Sequence, residues 1–343
     1  MALNIELFDS VINEGLYKQN IFMAGNLGMD HSKFVKYLDG DGSTKGAAVV
    51  HVPSASATLP TITKNRSSFP ITANSRVDVD MSYNINGYDS GAFSLSQIDA
   101  STVAYDKAAS LMYNINQALG QVVGNQTAYA WSPTSATTFG TQRIIRTSGA
   151  TQTAALALPG ASGQSRNALT LANIAQAKNM LDQDLMPAED RYMVIPNSIW
   201  SFDILPLANI TQYLQLGSVA GLQEGKISEG KNPSFLGRIY GFNIWERQSV
   251  SVYAGSSANT DASLALVAIN DGGEPSAFTA YDNLAIIFGH RSAVSQAYGQ
   301  TVMFYQPNNP LYLGDLFSAY IRHGASQLRS TVDGRGVGAI VQR

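Results

Sequence analysis

Apolar residues recur at helical spacing over one long segment in the first half of the chain. They lie three, four or eight positions apart, which places them on one helix face: Val103, Leu111, Ile115, Leu119 and Val122. The Gly124-Asn125 pair that follows is typical of a helix end. The pattern predicts a long amphipathic helix over residues 101–124.

A second helical pattern begins after Thr170, whose hydroxyl suits the N-cap position. Its apolar residues also share one face: Ile174, Ala177, Leu181 and Leu185. The sequence MPAEDR breaks this pattern, and the following MVI predicts a buried strand. Pro196-Asn197 is typical of a turn, and SIWSFDIL predicts a short helix.

Alternation of apolar and polar residues over Arg76–Ile85 predicts a half-buried strand, and Gly46–Pro53 has the composition of another. The residues between them, Ser54–Arg76, contain two β-prone arms around the polar tip Lys64-Asn65-Arg66. We therefore expect an extended hairpin loop. Its two prolines suit strand edges, where no ladder hydrogen bond is lost.

Further strand patterns lie in the second half of the chain. Apolar runs predict buried strands at SLALVAIN and LAIIFG, and the segments from TVMFYQ to the C-terminus predict more. IYGFNIWERQSV predicts either two strands or one strand with a glycine bulge, and AVSQAYG predicts a short helix or turn. The uncharged, low-complexity residues 132–167 fit either loops around the short strand TQRIIRT or a flexible linker.

Residues 1–45 have the composition of an N-terminal arm. Their apolar residues predict one short helix, and LDGDGSTKG is rich in turn formers. Such a segment cannot bury its apolar residues on itself, so we expect it to lie on a neighbouring molecule. The N-terminus lacks the features of a secretory signal. No run approaches the ~18 apolar residues of a membrane helix, so we expect no membrane partner.

Composition favours a permanent assembly. Charged residues make up 14% of the 343, against ~25% in an ordinary globular domain, and apolar residues make up 45%. Uncharged surface of this extent is typical of contacts between subunits. The net charge of −3, with 22 scattered Lys and Arg residues, leaves no basic face for tight, sequence-specific nucleic-acid binding. The absence of cysteine excludes disulfides, thiolate metal sites and Cys nucleophiles.

The histidines suggest no metal or catalytic site. They lie far apart in sequence and in no metal-binding spacing: His31, His51, His290 and His323. His290-Arg291-Ser292 has no glycine elbow that would present the serine as a nucleophile. We expect Ser292 to cap the next segment and His290-Arg291 to contact another subunit or domain.

The acidic residues give no stronger candidate. Asp39-Gly40-Asp41-Gly42-Ser43 resembles a calcium loop, but Val50 stands where the twelfth-position glutamate is required. Asp182, Asp184, Glu189 and Asp190 fit a solvated helix end. No phosphate-binding glycine loop is present. We therefore predict no catalytic, cofactor-binding or metal-binding residue, and no enzyme.

The order and spacing of these patterns resemble those of tailed-bacteriophage major capsid proteins, which have the Hong Kong 97 fold. Four segments, spanning most of residues 80–340, resemble the family's strand and spine helix, its axial-domain helix and strand, a glycine-containing strand, and the segment that returns to the peripheral domain. They are SYNINGYDSGAFSLSQIDASTVAYDKAASLMYNINQALGQVV, ALTLANIAQAKNMLDQDLMPAEDRYMVIPNSIWSFDIL, LGRIYGFNIWERQSV and LAIIFGHRSAVSQAYG.

This resemblance implies an α+β, Hong Kong 97-like capsid fold. Residues 1–45 would be the N-terminal arm and residues 54–76 the extended loop. Residues 46–53 and 77–131 would form the peripheral domain, which contains the spine helix. Residues 132–285 would form the axial domain, and residues 286–343 the strands that return to both domains.

The implied function is that of a shell subunit, which assembles as hexamers and pentamers into the icosahedral head around double-stranded DNA. It would be assembled in the host cytoplasm and reside in the virion. The expected inter-subunit contacts are Lys64, Asn65, Arg66, His290 and Arg291. The short arm implies a separate scaffolding protein, and the resemblance adds a portal, a decoration protein and non-specific contact with DNA.

Some family members cross-link through a lysine in the extended loop, but no motif around Lys64 matches theirs, so we expect no cross-link. Three other functions stay open at this point. They are an encapsulin-like compartment shell, an enzyme of unrecognised type, and another virion component such as a tail or decoration protein.

Overall fold

Among the residues that the structure describes, most segments with alternating apolar residues form strands, and those with apolar residues at helical spacing form helices. The computed structural model describes residues 21–24, 27–32, 49–55, 62–67, 69–70, 78–96, 107–134, 137–138, 141–153, 165–204, 235–248, 250–255, 264–275, 282–299, 302–329 and 334–342. Predictions for the short N-terminal helix, the calcium-like turn and most of the extended-loop arms lie outside these residues.

The helices are Ile21–Ala24 (α1), Lys107–Trp131 (α2), Leu171–Gln183 (α3) and Asn197–Ile199 (α4), the last continued by a π-turn at Trp200–Ile204. The strands are Met29–Asp30 (β1), Val49–Ala55 (β2), Asp78–Asn84 (β3), Asn86–Asp89 (β4), Phe93–Ser96 (β5), Thr137–Thr138 (β6), Thr141–Gln142 (β7), Ile144–Arg146 (β8), Thr151–Thr153 (β9), Ser165–Asn167 (β10), Arg191–Pro196 (β11), Phe235–Ile239 (β12), Phe242–Arg247 (β13), Val252–Tyr253 (β14), Asn283–His290 (β15), Val294–Tyr298 (β16), Val302–Asn309 (β17), Gly314–Gln327 (β18) and Val337–Val341 (β19).

One large sheet has the strand order β1-β16-β18-β17, with β4 and β5 also paired to β18. We refer to it as the six-stranded sheet. Helix α2 packs on it through one apolar stripe: Met112, Ile115, Leu119 and Val123. Their partners on the sheet include Met303, Phe317, Ala319 and Ile321. The spacing predicted Ile115 and Leu119 correctly, whereas Leu111 and Val122 are only partly buried and Val103 lies outside the described residues.

The other large sheet has the order β12-β13-β11-β15-β19-β8, with β14 paired to β15, and we refer to it as the seven-stranded sheet. Successive side chains of a strand point to opposite faces. Met193 and Ile195 of β11 accordingly pack with α3 on one face. Tyr192 and Val194 pack with the end of α2 on the other. Both β11 and β15 are buried throughout, which confirms the two buried strands predicted there.

The last turn of α2 joins the two sheets. Trp131 Nε1 donates to the carbonyl oxygen of Ser295 in β16 (2.9 Å), and Gln327 Nε2 of β18 donates to the Ser132 carbonyl (2.7 Å). From the other side, the Tyr253 hydroxyl of β14 donates to the Pro133 carbonyl (2.6 Å). The carbonyl oxygens of Ser132 and Pro133, just after the helix, have no partner within it. Side chains from strands of both sheets donate to them instead.

The predicted end of this helix was wrong, because α2 continues past Gly124 to Trp131. A Cβ at position 124 would lie 2.5 Å from Nη2 of Arg247, so the glycine makes room for that side chain. Arg247 Nη2 in turn donates to the Gln121 carbonyl oxygen (3.3 Å). Gly124 is therefore a site of close packing with β13. The predicted beginning of the helix lies outside the described residues.

Helix α3 confirms Thr170 as the N-cap. Its hydroxyl accepts from the Asn173 backbone N–H, and the Asn173 side chain accepts from the Thr170 N–H (3.1 Å), which forms a reciprocal capping box. The buried face was predicted correctly up to Leu181. Leu185 was assigned to it wrongly, since the helix ends at Gln183 and the Leu185 side chain is 70% exposed.

Part of the predicted arm belongs to the chain's own core. Phe22 of α1 meets Trp131 edge to face, with ring centroids 5.0 Å apart, and Ile21 and Leu27 are buried in the same cluster. Strand β1 pairs in parallel with β16. The expectation that the arm lies on a neighbour was therefore wrong for residues 21–24 and 27–32. The rest of the arm lies outside the described residues.

Four other local predictions are settled by the sheets. The segment AVSQAYG, expected as helix or turn, forms strand β16, because it pairs along its length with β18. IYGFNIWERQSV forms two strands, β12 and β13, around Tyr240-Gly241. SLALVAIN was wrong as a regular strand, since its described residues make only isolated bridges. The strand predicted in TQRIIRT is confirmed by β7 and β8.

Candidate inter-subunit surfaces

The extended hairpin loop is rooted in the protein. Strands β2 and β3 pair antiparallel from Val49 opposite Asn84 to Ala55 opposite Asp78. Along β3 and just beyond it, Met81, Tyr83 and Ile85 are buried, as the alternation predicted. Val50, Tyr83 and Ile85 pack against Ala297 of the six-stranded sheet. The base of the hairpin is therefore part of the folded core, and it holds the loop that follows.

The tip of this loop is exposed. Residues 62–67, which we name the cationic tip, include a turn at Lys64-Asn65, and all six are exposed. Asn65 has a φ of 49°, a left-handed conformation that asparagine adopts more readily than most residues. Arg66 Nη2 donates to the Thr63 hydroxyl (3.1 Å). The tip presents two cationic side chains beside Ile62, which is 92% exposed.

His290 and Arg291 differ from each other in what they can contact. His290 is only 8% exposed and ends strand β15. Its Nδ1 accepts from the backbone N–H of Ser292 (3.2 Å) and also lies 2.7 Å from the Ser292 hydroxyl. Burial lowers the pKa of His290, an effect that the nearby Asp190 carboxylate partly opposes.

The histidine, and not Ser292 as expected, therefore caps the short 3-10 turn Arg291–Ala293. Its side chain is engaged within this chain and has little surface left for another subunit. Arg291 is half-buried and lines an open cleft together with Asp190, Asn243 and Trp245. The inter-subunit contact expected for His290 and Arg291 stays a prediction, and Arg291 is the more accessible of the two residues.

The sequence suggested that the acidic residues at the end of α3 are solvated, and this was wrong for Asp184. Asp184 is buried and accepts from the Arg143 guanidinium and from the Gly336 N–H (3.0 Å). Asp182 accepts from the buried Arg191 (2.7 Å), and this hydrogen bond lowers the pKa of Asp182. The two carboxylates therefore bind separate arginines, and that arrangement fastens the end of α3 to β11 and to the turn before β19.

The buried histidines also have structural partners. His31 Nδ1 lies 3.1 Å from the Tyr83 hydroxyl. His323 of β18 lies between Tyr298 and α2, with its Nε2 3.0 Å from the Thr127 hydroxyl. Burial lowers the pKa of His323 to about 3, so the ring is neutral at physiological pH. Within the described part of the chain, no group of three or more His, Asp or Glu side chains is placed to hold a metal ion.

A second exposed tip was missed in the sequence. Strands β17 and β18 form a hairpin whose end, residues 307–313, we name the apolar tip. Three large side chains are exposed there: Leu311 85%, Tyr312 52% and Leu313 71%. The signal that could have found it is the run Pro310-Leu311-Tyr312-Leu313 between two strand patterns, since turns between strands are usually polar.

Comparison with known proteins gives the fold but no sequence family. No protein-family model and no curated protein matches the sequence. Among solved structures, the capsid of Ralstonia phage GP4 aligns with a TM-score of 0.58 and 13% identity, over 99% of this chain and 92% of that one. The Cyanophage Pam1 capsid aligns with a TM-score of 0.56 and 10% identity, over 92% and 87% of the two chains. The Cyanophage P-SCSP1u capsid aligns with a TM-score of 0.52 and 13% identity, over 92% and 86%.

This chain has a phage capsid fold. The α+β capsid fold that the resemblance implied is therefore confirmed, over almost the whole chain in the alignment with the Ralstonia phage capsid. Structural alignments at sequence identities of 10–13% establish a shared fold but do not establish a shared function. The base of the hairpin that carries the cationic tip packs on the six-stranded sheet. The hairpin that carries the apolar tip is formed by two strands of that sheet. No helix of the described residues is long and apolar enough to span a membrane.

Proposed function

We propose that this protein is the major capsid protein of a tailed bacteriophage, which self-assembles into the icosahedral head shell around double-stranded DNA. The observation that carries the proposal is the alignment with an assembled phage capsid over 99% of this chain. The low share of charged residues supports it, because a shell subunit must meet neighbours on several sides. Hexamers and pentamers of this chain would close the shell.

The domain assignment of the proposal follows the two large sheets. The six-stranded sheet with α2, the spine helix, would form the peripheral domain, and the seven-stranded sheet with α3 would form the axial domain. Residues 286–343 supply strands to both sheets, which supports their role as the segment that returns between the domains. The extended loop would reach a neighbouring subunit with Lys64, Asn65 and Arg66, and Arg291 would contact a subunit at its cleft.

The proposed partners beyond the chain itself are a scaffolding protein, a portal and a decoration protein. Contact with DNA would be non-specific. From Ala108 to Trp131, helix α2 contains no charged residue, so its exposed side has no cation to bind phosphates. Assembly would take place in the host cytoplasm, and the mature protein would reside in the virion. We propose no enzymatic role for it, since the solved structures that it resembles are capsids.

Electron microscopy of particles assembled from the purified chain, with and without its co-expressed scaffolding partner, tests the proposal. We expect hexamers, pentamers and closed icosahedral shells, because curved shells need both kinds of ring. Sedimentation should show these species in equilibrium with free subunits.

Other outcomes would overturn the proposal. Open rings or tubes would indicate a tail component, and shells that enclose a protein cargo would indicate an encapsulin-like compartment. A strictly monomeric protein at high concentration, with the scaffolding partner present, would exclude a shell subunit altogether.

A further inference from the structure

Residues 21–24 and 27–32, which we name the latch, bind to both large sheets of their own chain. Leu27 is buried in a cluster with side chains of the seven-stranded sheet. Strand β1 pairs with β16 of the six-stranded sheet, and the His31 N–H donates to the Gln296 carbonyl oxygen there (2.9 Å). The latch therefore spans the joint between two sheets that share no strand among the described residues.

The anchor of the latch is the Phe22 side chain, which is fully buried. Its ring meets Trp131 of α2 edge to face, and the Arg247 guanidinium of β13 lies 5.7 Å from the ring centroid. The Phe22 carbonyl oxygen accepts from Nε2 of the buried Gln296 in β16 (2.9 Å). A buried donor that loses its acceptor costs free energy. One residue of the latch thus binds α2 and a strand of each sheet.

The other end of the latch holds the root of the extended loop. His31 Nδ1 lies 3.1 Å from the Tyr83 hydroxyl of β3, and the two rings stack with centroids 6.3 Å apart. Both side chains are buried. The Ser32 hydroxyl accepts from the Tyr298 N–H of β16 (3.0 Å). The loop therefore leaves the protein from a hairpin that the latch contacts directly.

The joint that the latch spans is one at which the chain can bend. Strand β15 of the seven-stranded sheet continues into β16 of the six-stranded sheet through the short turn Arg291–Ala293. Hinges typically lie in a few such residues at the ends of elements. The last turn of α2 also meets both sheets, and the latch packs on that turn through Phe22. A segment bound to both sheets and to the loop root opposes movement between them.

We propose that the latch fixes the orientation of the two sheets and of the extended loop, and that its release lets them move while each stays folded. For its role in assembly this inference rests on the proposed function. Hexamers and pentamers place the same chain at different angles, so a fixed orientation favours shells of one size. A weakened latch should accordingly give shells of several sizes.

Hydrogen exchange of the free subunit, followed by mass spectrometry, tests the latch without assembly. Phe22→Leu keeps an apolar side chain but loses the edge-to-face and cation–π contacts. We expect exchange to become roughly fivefold to fiftyfold faster at the end of α2 and also in β2 and β3, which pack in a different buried cluster. Ile174→Val, which removes one buried methyl group, is the control and should speed exchange in α3 alone.

His31→Phe is the second variant, because it removes the bond to Tyr83 at the other end of the latch. It should speed exchange in β2 and β3 and also at the end of α2, since the latch acts as one unit. Acceleration confined to the end that carries the substitution, in both variants, would overturn the inference. Equal acceleration in α3 would show a general loss of stability and would also overturn it.

Electron microscopy of Phe22→Leu particles tests the role in assembly. Shells of several sizes support that role, and shells of the unaltered size despite faster exchange in β2 and β3 would overturn it. If the unaltered chain forms no particles, the proposed function fails, whereas the exchange measurement still decides whether the latch holds the sheets and the loop.

Discussion

The two exposed hairpin tips differ in chemistry, one cationic and one apolar, although the six-stranded sheet supports both. The cationic tip presents Lys64 and Arg66, whereas the apolar tip presents Leu311 and Leu313 and lies in a long uncharged segment. The first hairpin packs against the six-stranded sheet through Ala297, and the second is formed by its strands. One sheet therefore supports a cationic and an apolar exposed surface, which we expect to bind partners of different chemistry.

This difference in charge should separate the two contacts experimentally. Salt screens interactions between exposed charges over a distance of ~8 Å at physiological ionic strength. Burial of apolar surface is not weakened in this way, and sulfate strengthens it. Conditions or substitutions that alter charge should therefore act on the two tips in different ways.

The largest effect is expected when a charge is placed on the apolar tip. Leu311→Glu and Leu311→Lys should each reduce particle formation, because a charge would then have to be buried wherever a neighbouring subunit covers this exposed apolar surface. The free subunit should keep its stability within about 0.5 kcal/mol, since the side chain is exposed. Sedimentation and electron microscopy measure assembly, and denaturant unfolding measures the stability of the subunit.

A conservative variant is the matched control for this measurement. Leu311→Met keeps an apolar side chain of similar size and should assemble as the unaltered chain does. Leu185→Glu, on another exposed leucine, should assemble as well. Particle formation by Leu311→Glu at the level of the unaltered chain would show that no subunit covers the apolar tip.

The sequence predicted those elements whose pattern is local. Helix α3 follows from the Thr170 cap and an apolar stripe that ends at Leu181, and β15 follows from its continuous apolar run. The capsid fold followed from the order of such segments. In these cases the residues that decide the structure are neighbours in the chain.

The elements predicted wrongly depend on residues far away in sequence. Helix α2 continues past Gly124, where its last turn packs on a residue distant in sequence, with Trp131 against Tyr192. AVSQAYG is a strand because β18 pairs with it, and Phe22 is buried because Trp131 covers it. The apolar tip was missed for a different reason, since an apolar run such as Leu311–Leu313 is unusual in an exposed turn between strands.

A smaller effect is expected at acidic pH, which should lower the stability of the six-stranded sheet that supports both tips. Thr127 Oγ1 donates to the Val123 carbonyl (2.8 Å), so neutral His323 donates from Nε2 to that hydroxyl (3.0 Å). The pKa of His323 is about 3 in the folded protein against 6.5 for an ordinary histidine. The unfolded chain therefore binds a proton that the folded chain does not, and stability falls as the pH drops below 6.5.

At pH ~5 this single group should lower the free energy of unfolding by about 2 kcal/mol relative to neutral pH. Urea unfolding at the two pH values measures the difference. His323→Phe removes the titrating group and should flatten this part of the pH dependence, whereas His51→Phe, at an exposed histidine, should not. An unchanged pH dependence in His323→Phe would show that other groups cause the loss.

The smallest effect is expected at the cationic tip, and it should depend on salt. Lys64→Ala and Arg66→Ala should each weaken association by between roughly 1.5-fold and fivefold at low salt, the range typical of exposed ion pairs. Near 1 M sodium chloride the screening length falls to ~3 Å, so the variants should then match the unaltered chain. Light scattering, used to find the protein concentration at which particles appear, measures both values. Arg238→Ala, which removes an exposed cation from β12, is the control and should leave the low-salt value unchanged. Equal weakening at low and high salt would show that the loop tip binds through its apolar neighbour Ile62, and the contrast in charge between the two tips would then no longer describe how they bind.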